Sequence, residues 1–337
     1  MSKRYQGNII TDSPTDPTTS AASGVWSIGE AEAFTRGGLW PLPPLYLTDL
    51  GIIGGGYDGS SNVNVIQYIF VATTGNAVDF GDLTAAGRLM GTTSSQTRAL
   101  FFGGVSRSRT VDYVELASTG NAIDFGDITL GTSDYQLTAF GSSTRAVVTG
   151  LRNTNTPVND IEYFTIATPG DGTDFGDLSV TRGAIGCAGS STRMCMAGGR
   201  NVGTYYNTID YVTIASTGNA TDFGDRTITG QSPGAVSSST RAVYGGGFNN
   251  SSSNVLDYIT IASTGNATDF GDLTSSGYYF AGMSNKTRGV FAPGNSSSNA
   301  MEYITIASTG NAVDFGDMVA SYYQINDGTG SNHGGIA

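Results

Sequence analysis

The tetrapeptide Asp-Phe-Gly-Asp occurs six times, starting at Asp79, Asp124, Asp174, Asp222, Asp269 and Asp314. Successive copies stand 45, 50, 48, 47 and 45 residues apart. A motif at that near-constant period marks one supersecondary unit used six times, each burying its apolar face against a neighbour of the same kind. The copy from Gly230 to Asp272 shows the unit most clearly. A short apolar stretch ahead of Ser237 predicts a strand, a, and Ser237-Ser-Ser-Thr240 a turn. Arg241-Ala-Val-Tyr-Gly-Gly-Gly247 predicts strand b, and the alternating Leu256–Ala262 stretch strand c. After the turn Ser263-Thr-Gly-Asn266, Thr268–Leu273 predicts a short strand d carrying Phe270. Four antiparallel strands per period of about 47 residues are the pattern of a propeller blade.

Composition agrees with an all-β chain and narrows its chemistry. Of 337 residues, 49 are Gly and 13% are charged. The motif supplies twelve of the 28 acids, and the remaining 16 balance the 16 Lys and Arg. The net charge of −12 therefore belongs to the repeat, which argues against nucleic-acid partners. Asp-Phe-Gly is also a kinase signature, but a kinase carries it once, with a strand lysine and a catalytic loop. The single histidine, His333, leaves no His-centred triad and no multi-His metal site. No apolar run is long enough to span a membrane as a helix. The first residues lack a signal-peptide core, so export by that route is not expected. Cys187 and Cys195 flank Ser191, and two small buried thiols are preferred over a disulfide.

Comparing repeats within the chain divides the disc into two faces. The a–b turns read SSQTR, SSTR, SSTR, SSSTR and SNKTR, and the c–d turns read TTGN or STGN in all copies but one. The opposite b–c and d–a loops differ from repeat to repeat. They carry Tyr57, Asp58, Arg107, Arg109, Arg152, Arg200, Tyr205, Tyr206, Phe248 and Asn249, and also Asp134-Tyr135, Tyr278 and Tyr279. Loops that diversify on a rigid scaffold are where recognition concentrates. Tyr, Asn and Arg suit a polar or glycan surface. Neutral variation of solvated loops remains the alternative.

On the uniform face, Arg98, Arg145, Arg193, Arg241 and Arg288 open strand b, with Leu50 in their place in the first repeat. Charge-assisted pairs with the motif aspartates Asp79, Asp124, Asp174, Asp222, Asp269 and Asp314 are expected. A ring of cation sites from Asn76, Asp79, Asp82 and their equivalents is the alternative, but three side chains are few for Ca²⁺. No metal and no cofactor is expected. The first repeat lacks strand a, which the tail Ala320-Ser-Tyr-Tyr-Gln-Ile325 is expected to supply, closing a six-bladed ring. Ser331–Ile336 also resembles the start of a strand b, which leaves the closing register open.

The glycine doublet ending strand b, the strand-c Tyr (Tyr68, Tyr113, Tyr163, Tyr211, Tyr258, Tyr303) and an aromatic on strand d, Phe here where kelch usually has Trp, resemble kelch repeats. The resemblance spans residues 46–337 and implies a six-bladed kelch-type propeller. The doublet is degraded at Thr149-Gly150 and Pro293-Gly294. The tyrosine–copper chemistry known on kelch propellers would need His ligands that one His cannot supply.

Residues 1–45 are expected to form an extended arm with a short helix, capped by Ser27 and Glu30 and ended by Gly37-Gly38. Both tryptophans, Trp26 and Trp40, fall here and suggest docking. The segment Gly24-Val-Trp…Gly38-Leu-Trp-Pro41 resembles structural proteins of tailed bacteriophages. The repeat Ile-Ala-Ser-Thr-Gly-Asn-Ala-Thr-Asp-Phe-Gly-Asp-Leu resembles kelch-like repeats encoded by phages of marine and cyanobacterial hosts. These resemblances imply a virion protein assembled in the host cytoplasm. Its expected partners are other virion proteins through the arm, and host-surface glycan through the propeller. No nucleic acid and no membrane insertion are expected, and a homo-oligomer is open. A purely structural capsid or tail role is the alternative. A glycan-cleaving enzyme, with Asp58, Asp134 and Asp160 as candidate acids, is less favoured.

Overall fold

The computed structural model describes residues 4–6, 9–11, 49–129, 136–150, 152–153, 156–295 and 298–336. The chain divides into two compact units, Met1–Tyr46 and Leu47–Ala337. In the first, Arg4–Gln6 pairs antiparallel with Ile9–Thr11. The expected extended arm thus contains a two-stranded ribbon, favoured by the β-branched run Ile9-Ile10-Thr11. The expected helix, Trp26 and Trp40 lie outside the described residues.

The second unit is a β-propeller of six four-stranded antiparallel blades. Blade 1 comprises Thr329–Gly330, Leu50–Tyr57, Asn62–Phe70 and Val78–Asp82, from the axis outward. Blade 2 is Gly91–Ser94, Arg98–Gly104, Ser108–Glu115 and Ile123–Asp127. Blade 3 is Thr138–Gly141, Arg145–Thr149, Asp160–Thr165 and Thr173–Asp177. Blade 4 is Gly186–Gly189, Arg193–Ala197, Thr208–Thr213 and Thr221–Asp225. Blade 5 is Gly234–Ser237, Arg241–Phe248, Ser252–Thr260 and Thr268–Gly277. Blade 6 is Ala281–Ser284, Arg288–Ala292, Ala300–Thr305 and Val313–Asp317. The four strands of each blade are a to d in that order.

The core is six wedges, one in each seam between blades. Between blades 5 and 6, for example, Val243, Leu256 and Phe270 pack against Phe291, Ile304 and Ile306. The motif explains itself at these seams. Its Phe is buried in the wedge toward the next blade, and the strand-c Tyr of its own blade meets it edge-on with ring centroids 5.7–6.1 Å apart. The motif Gly lies so close to the next blade's c–d turn that a side chain at Gly224 would strike the Gly265 carbonyl. Its φ of 144° also suits glycine alone. The carbonyl of the motif Phe and both backbone groups of the second Asp are taken by that turn. Gly265 N–H donates to Phe223 O, Ala267 N–H to Asp225 O, and Asp225 N–H to Asn266 Oδ1 at 3.1 Å. The same side-chain bond recurs at every seam, including the closing one, where Asp317 N–H donates to Asn76 Oδ1 at 3.0 Å. Asn76, a candidate cation ligand on sequence, is therefore committed to the seam.

The arginines opening strand b have other partners than the motif aspartates, whose first member is exposed in each blade. Each guanidinium lies over the strand-c Tyr of its own blade, 4.2–4.3 Å from the ring centre. Its Nη1 donates to a carbonyl of the next blade: Arg98 to Ile166, Arg145 to Ile214, Arg193 to Ile261, Arg241 to Ile306, and Arg288 to Val71 and Ala72. The charge is matched by a π face and backbone dipoles rather than a motif carboxylate; among the described residues only Arg98 adds an ion pair, with Glu115. The a–b turns that place these arginines are held by Ser95, Ser142, Ser190, Ser238 and Asn285. Each side-chain oxygen accepts the N–H groups two and three residues on, as when Ser238 Oγ takes Thr240 and Arg241.

A second latch was not anticipated. The residue before each strand-c Tyr is buried and accepts the N–H of the residue that follows Asp-Phe-Gly-Asp-X in the preceding blade, at 2.6–3.1 Å. The acceptors are Asp112, Glu162, Asp210, Asp257 and Glu302, with Gln67 at the closing seam. There the donor is Val319, which lacks the hydroxyl that Thr or Ser offers elsewhere, and a neutral amide meets it. Three of the buried carboxylates also hold an arginine: Arg107–Asp112 at 2.6 Å, Arg182–Asp210 at 2.9 Å and Arg226–Asp257 at 3.0 Å.

The C-terminal strand closes the ring, later than expected: Thr329–Gly330, not residues 320–325, pairs with Ile52 and Gly51. Tyr322–Ile325 instead form the last d–a connection, because Gln324 and Asn326 both adopt left-handed φ (56° and 54°) and delay strand pairing. Ser331–Ile336 does not start another strand b. It continues along the axis toward the uniform face, where His333 Nε2 meets Ser94 O at 3.0 Å and Gly334 N–H donates to Ser237 O. Asp327, buried on the axis, accepts N–H bonds from Thr92, Ala139 and Gly328 at 2.9–3.0 Å. Burial pushes its carboxyl up to about 8 against those donors, and burial pushes His333 down to about 4. The tail leaves an axial cavity of about 20 Å³ between the inner strands, room for about one water.

Cys187 and Cys195 are buried free thiols. Cys187 pairs with Met196, so Cys195, the next residue, projects from the other side of the sheet into a different wedge.

Candidate functional site

Each d–a connection on the varied face includes a left-handed residue near blade entry: Leu89, Gln136, Ala184, Ser232, Tyr279 and Gln324, with φ of 34–60°. Because it recurs six times, this conformation belongs to blade entry and does not by itself mark a site. Around the axis, Leu89 N–H donates to Gln324 O, Ser232 N–H to Ala184 O and Tyr279 N–H to Ser232 O. Between blades 6 and 1, Gln324 N–H donates to Gly294 O rather than to the Tyr279 carbonyl, and between blades 2 and 3 the donor to Leu89 O is Leu137 rather than Gln136. Gly294 belongs to the degraded doublet Pro293-Gly294. A side chain there would collide with the Tyr279 carbonyl, so glycine permits the approach.

A cleft of about 460 Å³ opens at this point, lined by Tyr57, Gly59, Arg88, Tyr278, Tyr279, Gly294, Asn295, Tyr323 and Gln324. That volume falls within the range of small-ligand sites. Asn295 Oδ1 accepts Tyr278 N–H at 3.0 Å and fixes one wall. The Tyr278 and Tyr279 rings lie 4.6 Å apart, and the Arg88 guanidinium sits 4.9 Å from the Tyr57 ring centre. The aromatic surface continues away from the cleft across two blades. Phe248 stacks 5.0 Å from Tyr278, Tyr205 lies 6.2 Å from Phe248, and Arg200 covers Tyr205 at 5.4 Å. All of these rings are half-buried, so their faces are fixed and partly open to solvent.

Of the residues expected on this face, Tyr57, Tyr278 and Tyr279 meet in the cleft, and Arg200, Tyr205 and Phe248 form the arc beside it. Others do not join them. Arg107 is buried: the turn through Ser106 and Ser108 (φ 73° and 50°) folds it inward onto Asp112 and Met90 Sδ. Arg109 is exposed and donates to Thr129 O. Tyr206 is half-buried and, among the described residues, makes no ring contact, and Asn249 lines a separate polar groove with Thr227, Thr229, Ser251 and Ser253. Arg152 lies in a two-residue strand, its side chain outside the described atoms, as is Asp134 entirely. Asp58 neighbours the cleft but turns back into its own loop. Hydrogen bonds from Ser61 and Ser60 hold its carboxyl down at about 2. Asp160, in blade 3, is raised by burial and by Asp177 and Asp174.

Arg88, Asn295, Tyr323 and Gln324 were missed by sequence reasoning. Tyr323, which the sequence places in the closing strand, precedes left-handed Gln324 as Tyr278 precedes left-handed Tyr279. Arg88 sits one residue before the left-handed Leu89, a position no propensity signal identifies.

The described helical and strand content includes no helix long and apolar enough to cross a membrane. Comparison of the chain with protein-family models and with curated proteins gives no match.

Proposed function

We propose that this chain is a structural protein of a tailed-bacteriophage virion and that its kelch-like propeller attaches to glycan at the host surface. The observation that carries the glycan part is the fixed aromatic arc ending in a cleft on the one face where the repeats diverge. Sugar rings present C–H faces that stack on Tyr and Phe, while their hydroxyls need adaptable partners such as Asn295 and Gln324. The uniform face has no such freedom, because its turns are spent on blade-to-blade bonds. The virion part rests on the likeness of Gly24–Pro41 and of the repeat itself to phage proteins.

The purified full chain is expected to bind intact cyanobacterial cells saturably, with competition by surface polysaccharide extracted from those cells. Tyr278→Ala with Tyr279→Ala is expected to weaken binding roughly tenfold or more, by analogy with the cost of losing aromatic anchors. Absence of binding, or equal binding by the double variant, sinks the attachment reading. Electron cryo-microscopy of a particle containing the protein separates attachment from a purely structural role. The varied face should point outward, and burial of that face against other subunits contradicts attachment.

A further inference from the structure

We infer that the cleft between blades 6 and 1 selects an acidic saccharide and seats its carboxylate on Arg88. The inference rests on the glycan reading above and adds the class of sugar. Its first support is a contrast among arginines. Arg107, Arg182 and Arg226, drawn inward from the same side of the disc, each hold a buried carboxylate, namely Asp112, Asp210 and Asp257. Among the described residues no carboxylate pairs with Arg88, and its Nε is buried without a partner. None of the other eight lining residues is Asp or Glu, in a chain of net charge −12. The cleft lining thus carries one cation and no acid; the nearby Asp58 carboxylate is turned back onto Ser60 and Ser61.

The second support is the acceptor beside it. Gln324 Oε1 is likewise buried without a partner, and the 2.9 Å bond from Leu89 N–H to Gln324 O sets the two residues side by side. A buried donor and a buried acceptor that lack partners each carry a desolvation cost, which a ligand bearing both complements relieves. An anion alone answers Arg88 only, and a neutral sugar answers Gln324 only. A sugar acid brings a carboxylate for the guanidinium and a hydroxyl for the amide oxygen, and offers its ring face to Tyr278 and Tyr279. Arg88 lying over Tyr57 holds its plane fixed, which favours the flat, two-oxygen geometry of a carboxylate.

The test uses the full chain on an array of bacterial surface polysaccharides, acidic and neutral. Titration follows with oligosaccharides of the tightest acidic species and with the same oligosaccharides after reduction of their carboxyl groups to alcohols. Binding should be confined to uronate-bearing species. It should fall roughly tenfold to a hundredfold both on carboxyl reduction and in Arg88→Gln, the range for losing a charge-assisted bond. Arg88→Lys should recover part of the loss, and all three proteins should melt alike. Neutral glycans bound as tightly as acidic ones, or wild-type affinity in Arg88→Gln, overturns the inference and leaves the glycan reading standing. Sulfated species bound in preference to uronates also overturn it. Binding to no glycan at all removes the glycan reading and this inference with it.

Discussion

On the face carrying the a–b and c–d turns, every repeat does the same work at the same place. Asn266 and its equivalents take the N–H of the second motif Asp one blade back, and Arg241 and its equivalents bridge to the blade ahead. On the opposite face the six d–a connections, beyond the Thr or Ser that latches to the next blade in five of them, hold unrelated side chains, and between blades 6 and 1 they line the Tyr57–Arg88–Tyr278 cleft. A loop that must dock on its neighbour has its sequence dictated by that neighbour. A d–a connection keeps its first residues for the latch to the next blade and a left-handed residue for blade entry, and is free between them. Uniformity here marks assembly, and divergence marks the surface for which we propose recognition.

The closing tail offers the largest perturbation. Removing residues 328–337 deprives blade 1 of its inner strand and vacates the axis, so the cooperative melting transition should be lost in calorimetry; an unchanged transition contradicts ring closure by Thr329–Gly330. Next comes Asp257→Ala, which strands Arg226 in a buried seam. It should cost about 3–5 kcal/mol in denaturant unfolding. Gln67→Ala at the closing seam removes only a neutral bond and should cost about 1 kcal/mol. Equal losses at the two seams would show that the latch carboxylates contribute no more than a neutral bond.

A third, smaller effect concerns pH. The Asp327 carboxyl, raised to about 8, keeps its proton in the folded state where the unfolded chain has lost it. Its contribution is complete below the unfolded value and declines as pH rises toward about 8. His333, lowered to about 4, works oppositely between about 4 and its ordinary value of 6.5: stability falls as pH falls. The two trends offset below pH 6.5. From pH 6.5 to 8 stability should drop by roughly 2 kcal/mol, and Asp327→Asn should flatten that stretch of the melting profile. The smallest structural effect expected is that of Arg241→Ala, about 1 kcal/mol, since one half-buried stack and one carbonyl bond are lost.

Much of the fold was legible because the period, the turn residues and the strand patterns agree with one another. The partners of the arginines were not. Sign alone paired them with the nearest repeated acids, whereas a Tyr ring below and a carbonyl ahead satisfy the guanidinium without a carboxylate. The acid before each strand-c Tyr was visible in five of six repeats, but its partner sits one blade back, a contact no local pattern encodes. The tail misled for a related reason. Tyr322-Tyr323 reads as strand by propensity, while two left-handed residues, invisible in composition, postpone pairing to Thr329. At the site, the aromatic residues stood out as exceptions among repeats, but Arg88 and Gln324 gain meaning only where blades 6 and 1 meet.

The central claim, that one face assembles the disc while the other is proposed to bind glycan, is tested most directly by measuring melting temperature and glycan binding together in two full-length variants. Arg241→Ala should lower the melting temperature by a few degrees and leave binding intact. Tyr278→Ala should leave melting unchanged and weaken binding roughly tenfold or more. Loss of binding in Arg241→Ala with none in Tyr278→Ala would contradict the account.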